Sequence, residues 1–276
     1  MGLLHFKPTE KSILRKIALM LYARFEIPYL KLNYLIIKGP LQNKIGRIFF
    51  WPIVLLNARL MLSLGQHGKV MTVKEIDKYL DSLPEKIMIA VGSCRCRLAT
   101  HACDCPIKTD ITIKTGAAIY KQFFPEDYKI VGKEEVKAMI REFNKKGLVP
   151  MVYAFCVAGG SFVSFVICNC CQHSCIPMLA QRYANLHVFD PGEYVAFVDI
   201  EKCVGCGNCV SVCQFEARSI IDGKSKIDYL KCYGCGACEQ VCETGATKMI
   251  PRPHELAEAQ ITRLLSFWKH EHYHIE

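Results

Sequence analysis

The sequence predicts an α+β protein in three parts: a helical N-terminal segment, a small α/β cysteine-rich domain, and a C-terminal domain built on a cysteine repeat. Three observations set this division. Residues 1–70 hold eleven Lys/Arg against Glu10 and Glu26 alone, so the whole formal net charge of +9 lies there. Residues 85–190 combine strand-like and helix-like stretches with two tight groups of four cysteines. Residues 203–242 then use one eleven-residue cysteine pattern twice. The expected divisions are 1–84, 85–190 and 191–252, followed by a helix and a His-rich tail at 253–276.

A chain of 276 residues, 51% of them hydrophobic, suits two globular domains of ordinary size. Its seventeen cysteines fall in C-x-C and C-x-x-C groups, too close together for a mutual disulfide network. No charged-then-apolar leader is visible, so the cysteines read as thiolate metal ligands in a reducing, cytoplasmic compartment.

The elements follow in order. Residues 9–26 read as a helix with Ile13, Ile17, Met20 and Leu21 on its apolar face. Residues 45–64 are strongly apolar, but the uncharged run Ile48 to Ala58 is too short to span a bilayer, and Pro52 should interrupt it. Either Phe49 and Trp51 are core and the basic residues a solvated face, or residues 1–70 dock on an acidic redox partner or the inner membrane surface. Thr72 and Glu75 form a capping box opening a helix through Tyr79 and Leu80. Residues 86–92 read as a buried strand, and 133–147 as a helix burying Val136, Met139, Ile140 and Phe143 and stopped by Gly147. Residues 151–181 carry no formal charge and read as two buried strands broken by "AGGS", with Cys156 a small core residue.

The repeat is the strongest signal. "CVGCGNCVSVC" supplies Cys203, Cys206, Cys209 and Cys213; "CYGCGACEQVC" supplies Cys232, Cys235, Cys238 and Cys242. Three cysteines at this spacing on a tight loop can hold three corners of an iron–sulfur cubane, while the fourth begins a helix pointing elsewhere. Gly205, Gly207, Gly234 and Gly236 let the loops close and offer backbone N–H groups to sulfur. Over residues 192–252 the pattern resembles the bacterial two-cluster ferredoxins, with "SIIDGKSKID" as the connecting hairpin. That resemblance implies a ferredoxin-like domain with two crossed 4Fe–4S clusters: one on Cys203, Cys206, Cys209 and Cys242, the other on Cys232, Cys235, Cys238 and Cys213. Gln214 and Glu243 stand where such ferredoxins usually have proline, which bears on loop rigidity rather than ligation.

Eight further cysteines lie upstream: Cys94, Cys96, Cys103 and Cys105, then Cys168, Cys170, Cys171 and Cys175. Neighbours such as Cys170 and Cys171 cannot easily reach one iron, so the groups close over one extra cluster with thiols to spare, or over two. An additional iron–sulfur cluster is the expectation; zinc is the runner-up, ahead of a redox-active or inert role. "CRCR", "CDCP" and "CNCC" before the repeat are similar to a family of uncharacterised anaerobic 4Fe–4S proteins, a resemblance that implies no reaction.

The leading function is single-electron transfer to or from a redox partner, since fully thiolate-capped iron leaves no substrate position. The alternative is a reductase or activating enzyme with a substrate- or corrinoid-facing cluster in residues 85–190, where His101 and His173 would be the non-cysteine candidates. An iron–sulfur sensor ranks third. The basic residues are interleaved with large apolar ones, so no nucleic acid is expected. No P-loop, G-x-G-x-x-G or G-x-S-x-G adds another chemistry.

Overall fold

A seven-stranded sheet in the order β4-β2-β3-β6-β5-β1-β7 organises the chain ahead of the cysteine repeat. The computed structural model describes residues 13–63, 68–154, 165–184 and 186–265; Cys156, the "AGGS" break and the His-rich tail lie outside them. The strands are β1 (Gly68–Val70), β2 (Ile89–Gly92), β3 (Asp110–Ile113), β4 (Lys129–Ile130), β5 (Val149–Ala154), β6 (Phe165–Cys170) and β7 (Phe189–Asp190). Their pairings are antiparallel, apart from the parallel β1–β7 contact.

Helices α3 (Val73–Ser82) and α6 (Lys133–Lys145) cover one face, and α1 (Ile13–Lys38), α4 (Arg95–Thr100), α5 (Thr115–Phe123) and α7 (Ile176–Ala184) the other. The alternation of side chains along a strand decides what each face receives. On β2, Ile89 and Val91 join the α3/α6 core while Ala90 meets α1 and α5. On β6, Ile167 joins the α3/α6 core, and Cys168 and Cys170 point to the opposite side. Cys171, one step on, returns to the α6 side beside Phe143 and Leu148.

The capping box forms as expected: the Glu75 N–H donates to Thr72 Oγ1 at 3.2 Å, and the Thr72 N–H donates to Glu75 Oε2 at 2.7 Å. Helix α6 buries Val136, Ile140 and Phe143 and ends at Gly147, whose φ is +82°. The N-terminal helices differ from expectation. Helix α1 continues through Pro28 to Lys38, and α2 (Lys44–Ser63) continues through Pro52. Both prolines lie on exposed surface, where water can take the carbonyl that each leaves without a donor. The buried stripe of α1 is Ala23, Glu26, Leu30 and Ile37, whereas Ile17 and Leu21 are exposed. Phe49 is also exposed, at 70%, and only Trp51 of that pair packs against the core.

After residue 190 comes a small domain of two hairpin-like pairs. Strand β8 (Tyr194–Val198) pairs with β11 (Thr247–Pro251), and β9 (Arg218–Ile221) with β10 (Lys224–Ile227) through the expected Asp222–Gly223 turn. One-turn helices α8 (Asn208–Ser211) and α9 (Ala237–Gln240) carry Cys209 and Cys238, so the fourth cysteine of each run follows a helix and does not begin one as expected; α10 (His254–Leu265) closes the described chain. Glycine is required at the centre of each loop. A Cβ on Gly205 would lie 2.1 Å from the Gly223 carbonyl oxygen, and one on Gly234 would lie 1.9 Å from that of Tyr194.

Candidate metal centres

In the C-terminal domain the two cysteine runs cross. Cys242, from the second run, packs with Cys203 against Val198 and Ala246. Cys213, from the first run, packs with Cys232 and Cys238 against Val195, Ala196 and Ala217. A cavity of about 20 Å³ is lined by Cys213, Cys232, Cys235 and Cys238 together. Backbone N–H groups are aimed at several sulfurs: Ser225 to Cys203 at 3.4 Å, Ala217 to Cys213 at 3.3 Å and Thr247 to Cys242 at 3.3 Å. Arg218, buried behind the second group, donates to Cys238 Sγ at 3.1 Å. These donors favour negative sulfur, which is what a thiolate-ligated cluster presents. They hold the Cys203 thiol below its ordinary value, chiefly through the Ser225 N–H, whereas burial pushes Cys235 well up.

The eight upstream cysteines separate into two sets on opposite sides of the sheet. Cys94 caps α4, Cys96 lies within it, Cys168 and Cys170 come from β6, and Cys175 precedes α7. Cys96 contacts Cys175, Cys175 contacts Cys170, and Cys170 contacts Cys168, so the sulfurs form a chain. Burial and the neighbouring Cys96 push the Cys94 thiol up to about 12. Packing this many thiols together in apolar surroundings stores ligands that a metal can deprotonate on binding. Beside the chain lies a largely apolar cavity of about 180 Å³, bounded by α1 and α2 and lined by Cys94, Cys96 and Cys168. Glu26, Arg95 and Asp110 also line it.

The other set is Cys103, Cys105 and Cys171, whose sulfurs all lie within 4.8 Å of one another. Cys103 is 3.6 Å from Cys171 and 3.1 Å from Ser174 Oγ. Although burial acts to raise Cys103, hydrogen bonds from Ser174 and its neighbours leave its pKa at about 7. Arg97 runs between the two sets, 2% exposed, donating to the Asn169 carbonyl at 2.8 Å and the Pro106 carbonyl at 2.9 Å. It also stands close enough to Cys171 to interact with its sulfur. His101 and His173, the non-cysteine candidates, are both exposed and belong to neither set.

The two domains share one interior. Cys235 packs in the same core as Cys170 and Cys175, with Cys168 at its edge and Tyr153, Met178 and Tyr233 between. Asn144 Nδ2 donates to the Cys235 carbonyl at 3.2 Å. Gln214, standing in place of the usual proline, accepts from the Gln172 N–H at 2.9 Å and so ties the first repeat to the upstream run. Sequence reasoning took Gln214 as bearing on loop rigidity alone and missed this role; Arg97 and Arg218 were also missed, for each is separated in sequence from the sulfur it serves.

Residues 202–246 match a family model described as a 4Fe-4S dicluster domain. Over 32 residues the chain is 47% identical to Ferredoxin-2 of Desulfomicrobium norvegicum, which covers 12% of this chain and 54% of that protein. The chain therefore spans about half the length of the curated relative it matches. It is an iron–sulfur, metal-binding protein with a ferredoxin-like 4Fe–4S domain at its C-terminal end. Among the described residues no helix is long and apolar enough to cross a membrane.

Proposed function

We propose that the chain is an electron carrier in which two 4Fe–4S clusters of the C-terminal domain exchange single electrons with a third cluster held upstream. The first pair of ligand sets is Cys203, Cys206, Cys209 with Cys242, and Cys232, Cys235, Cys238 with Cys213. The third cluster draws four ligands from Cys94, Cys96, Cys168, Cys170 and Cys175, beside the thiol-lined cavity. One observation carries the reading: Cys235 shares a single packed core with Cys168, Cys170 and Cys175. A cluster on either side of that core would have no solvent between it and the next. When bound, each cluster supplies a one-electron couple; the protein's part is to fix their separation, exclude water and donate hydrogen bonds to sulfur.

Iron analysis of the full chain, purified without oxygen, tests this. About twelve irons per chain are expected, falling to about eight in the double variant Cys170→Ala/Cys175→Ala, which leaves only three of these five upstream cysteines. A wild-type value of eight, unmoved by those substitutions, removes the third cluster. Loss of the Cys203-side cluster in Cys213→Ala would overturn the crossed ligation.

A second reading has its own support. The cavity of about 180 Å³ beside Cys94, Cys96 and Cys168 is large enough for more than a cluster edge, and the buried Arg95 guanidinium lines it, with Glu26 Oε2 3.6 Å from its Nε. A reductase would use it for a small substrate. Spectral change of the third cluster on adding cyanide, with the other two unaffected, would favour this reading over a pure relay.

The docking surface belongs to α1 and α2. Leu21, Phe25, Leu32 and Leu35 on the first and Ile45, Ile48, Phe49, Ile53 and Leu56 on the second are exposed. Arg24, Lys31 and Lys44 are exposed beside them, and Glu26, the only acid on either helix, is buried. Large apolar side chains flanked by unopposed positive charge match the chemistry of an anionic bilayer surface better than that of an acidic protein.

A further inference from the structure

The trio of Cys103, Cys105 and Cys171 has a geometry unlike that of the other cysteine groups. Tetrahedral zinc with Zn–S bonds of about 2.3 Å holds its sulfurs about 3.8 Å apart. Cys103 and Cys171 stand 3.6 Å apart, and all three sulfurs lie within 4.8 Å. In contrast, no three of the eight sulfurs in the 4Fe–4S domain converge so closely. A cubane holds its ligand sulfurs apart by its own bulk, whereas a single ion draws them together. We propose that Cys103, Cys105 and Cys171 bind one tetrahedral divalent ion of the zinc class, with the fourth position open to solvent beside Ser174.

The surroundings suit that ion. Three thiolates around a divalent cation leave one net negative charge, and the buried Arg97 guanidinium supplies the compensating positive charge from a fixed position against Cys171. The same guanidinium is held by the carbonyls of Pro106 and Asn169, so one residue orients both the loop carrying Cys105 and the strand leading to Cys171. Cys171 and Ser174 are buried, whereas Cys103 and Cys105 are half-buried at the mouth, which gives the fourth position access to water. The site also explains the adjacent pair Cys170 and Cys171. Strand alternation sends Cys170 towards the chain of five and Cys171 to the α6 side, so one short run feeds two centres of different chemistry.

Zinc and iron are measured together on the full chain expressed with both metals and purified without oxygen. About one zinc per chain is expected. Cys103→Ser and Cys105→Ser should each lose the zinc and keep the iron content of the wild type, which also reports that the chain has folded. Cys175→Ala should keep the zinc. Replacing zinc by cobalt should give the intense visible bands of a tetrahedral ion with thiolate charge transfer, lost in Cys103→Ser. Absence of zinc from the wild type, a loss of about four irons in Cys103→Ser, or a disulfide within the trio in protein isolated under these conditions would each overturn the proposal. The result is separable from the electron-relay reading: eight irons with one zinc defeats the relay's third cluster alone, and twelve irons without zinc defeats this site alone.

Discussion

Glu26 carries its carboxyl beneath α1, with Arg95 Nε 3.6 Å away and the Tyr120 hydroxyl donating to it at 2.7 Å. Burial, and then the charge of Asp110, raise its pKa from 4.5 to about 8, outweighing Tyr120, Arg95 and Tyr22, which act to lower it. Between pH 4.5 and about 8 the folded chain therefore holds a proton that the unfolded chain has released. The associated stability is fully present below pH 4.5 and is lost as pH rises through about 8, by up to about 5 kcal/mol. Glu26→Gln keeps the neutral shape and removes the titration. Thermal melts without oxygen should fall from pH 5 to pH 8 for the wild type and much less for the variant; equal slopes would show that another group governs the fall. Nothing in the sequence marked this residue beyond its sign, because its burial depends on the partners of α1 in the fold. The cysteines were more legible: both repeat runs were readable from spacing alone, since the chemistry of a cubane dictates the spacing.

At the scale of elements, the best-read pieces were those whose pattern has one interpretation. Helix α3 announced itself by its cap, and α6 by a single apolar stripe opposite charged residues. Helices α1 and α2 are apolar almost all round, so periodicity could not choose which face packs, and Ile17, Leu21 and Phe49 came out on the surface. That ambiguity is itself informative, because a helix apolar on both faces needs two apolar neighbours. If the outer neighbour is an anionic bilayer, the full chain should partition onto vesicles containing phosphatidylserine or phosphatidylglycerol and much less onto neutral ones. Lys31→Glu with Lys44→Glu should weaken that partition by roughly tenfold or more, since each basic residue near such a surface contributes about 1 kcal/mol. Phe49→Ser should weaken it on every vesicle composition without changing iron content. Binding that is indifferent to these changes, or capture by an acidic protein with no vesicle binding, would reassign the face.

At the scale of the molecule, the connections between the parts were not legible in the sequence. Strands β1 and β7 are three and two residues long and find their partners far along the chain, too short for any alternation to be read. Two of the contacts that seat the C-terminal domain on the sheet, Asn144 with the Cys235 carbonyl and Gln214 with Gln172, rest on amide side chains that carry no pattern in the sequence. Yet these contacts decide whether the clusters form a relay or merely coexist, for they bring Cys235 into one core with Cys170 and Cys175. The most direct measurement of that continuity is the EPR spectrum of the fully reduced full chain beside that of the double variant Cys170→Ala/Cys175→Ala. The relay predicts three reduced-cluster signals broadened by mutual spin coupling, with Cys170→Ala/Cys175→Ala losing the third signal and the part of the broadening it caused, while the two ferredoxin-type signals persist. A wild-type spectrum that is the simple sum of two mutually coupled clusters, or of a third with no coupling to them, would contradict it.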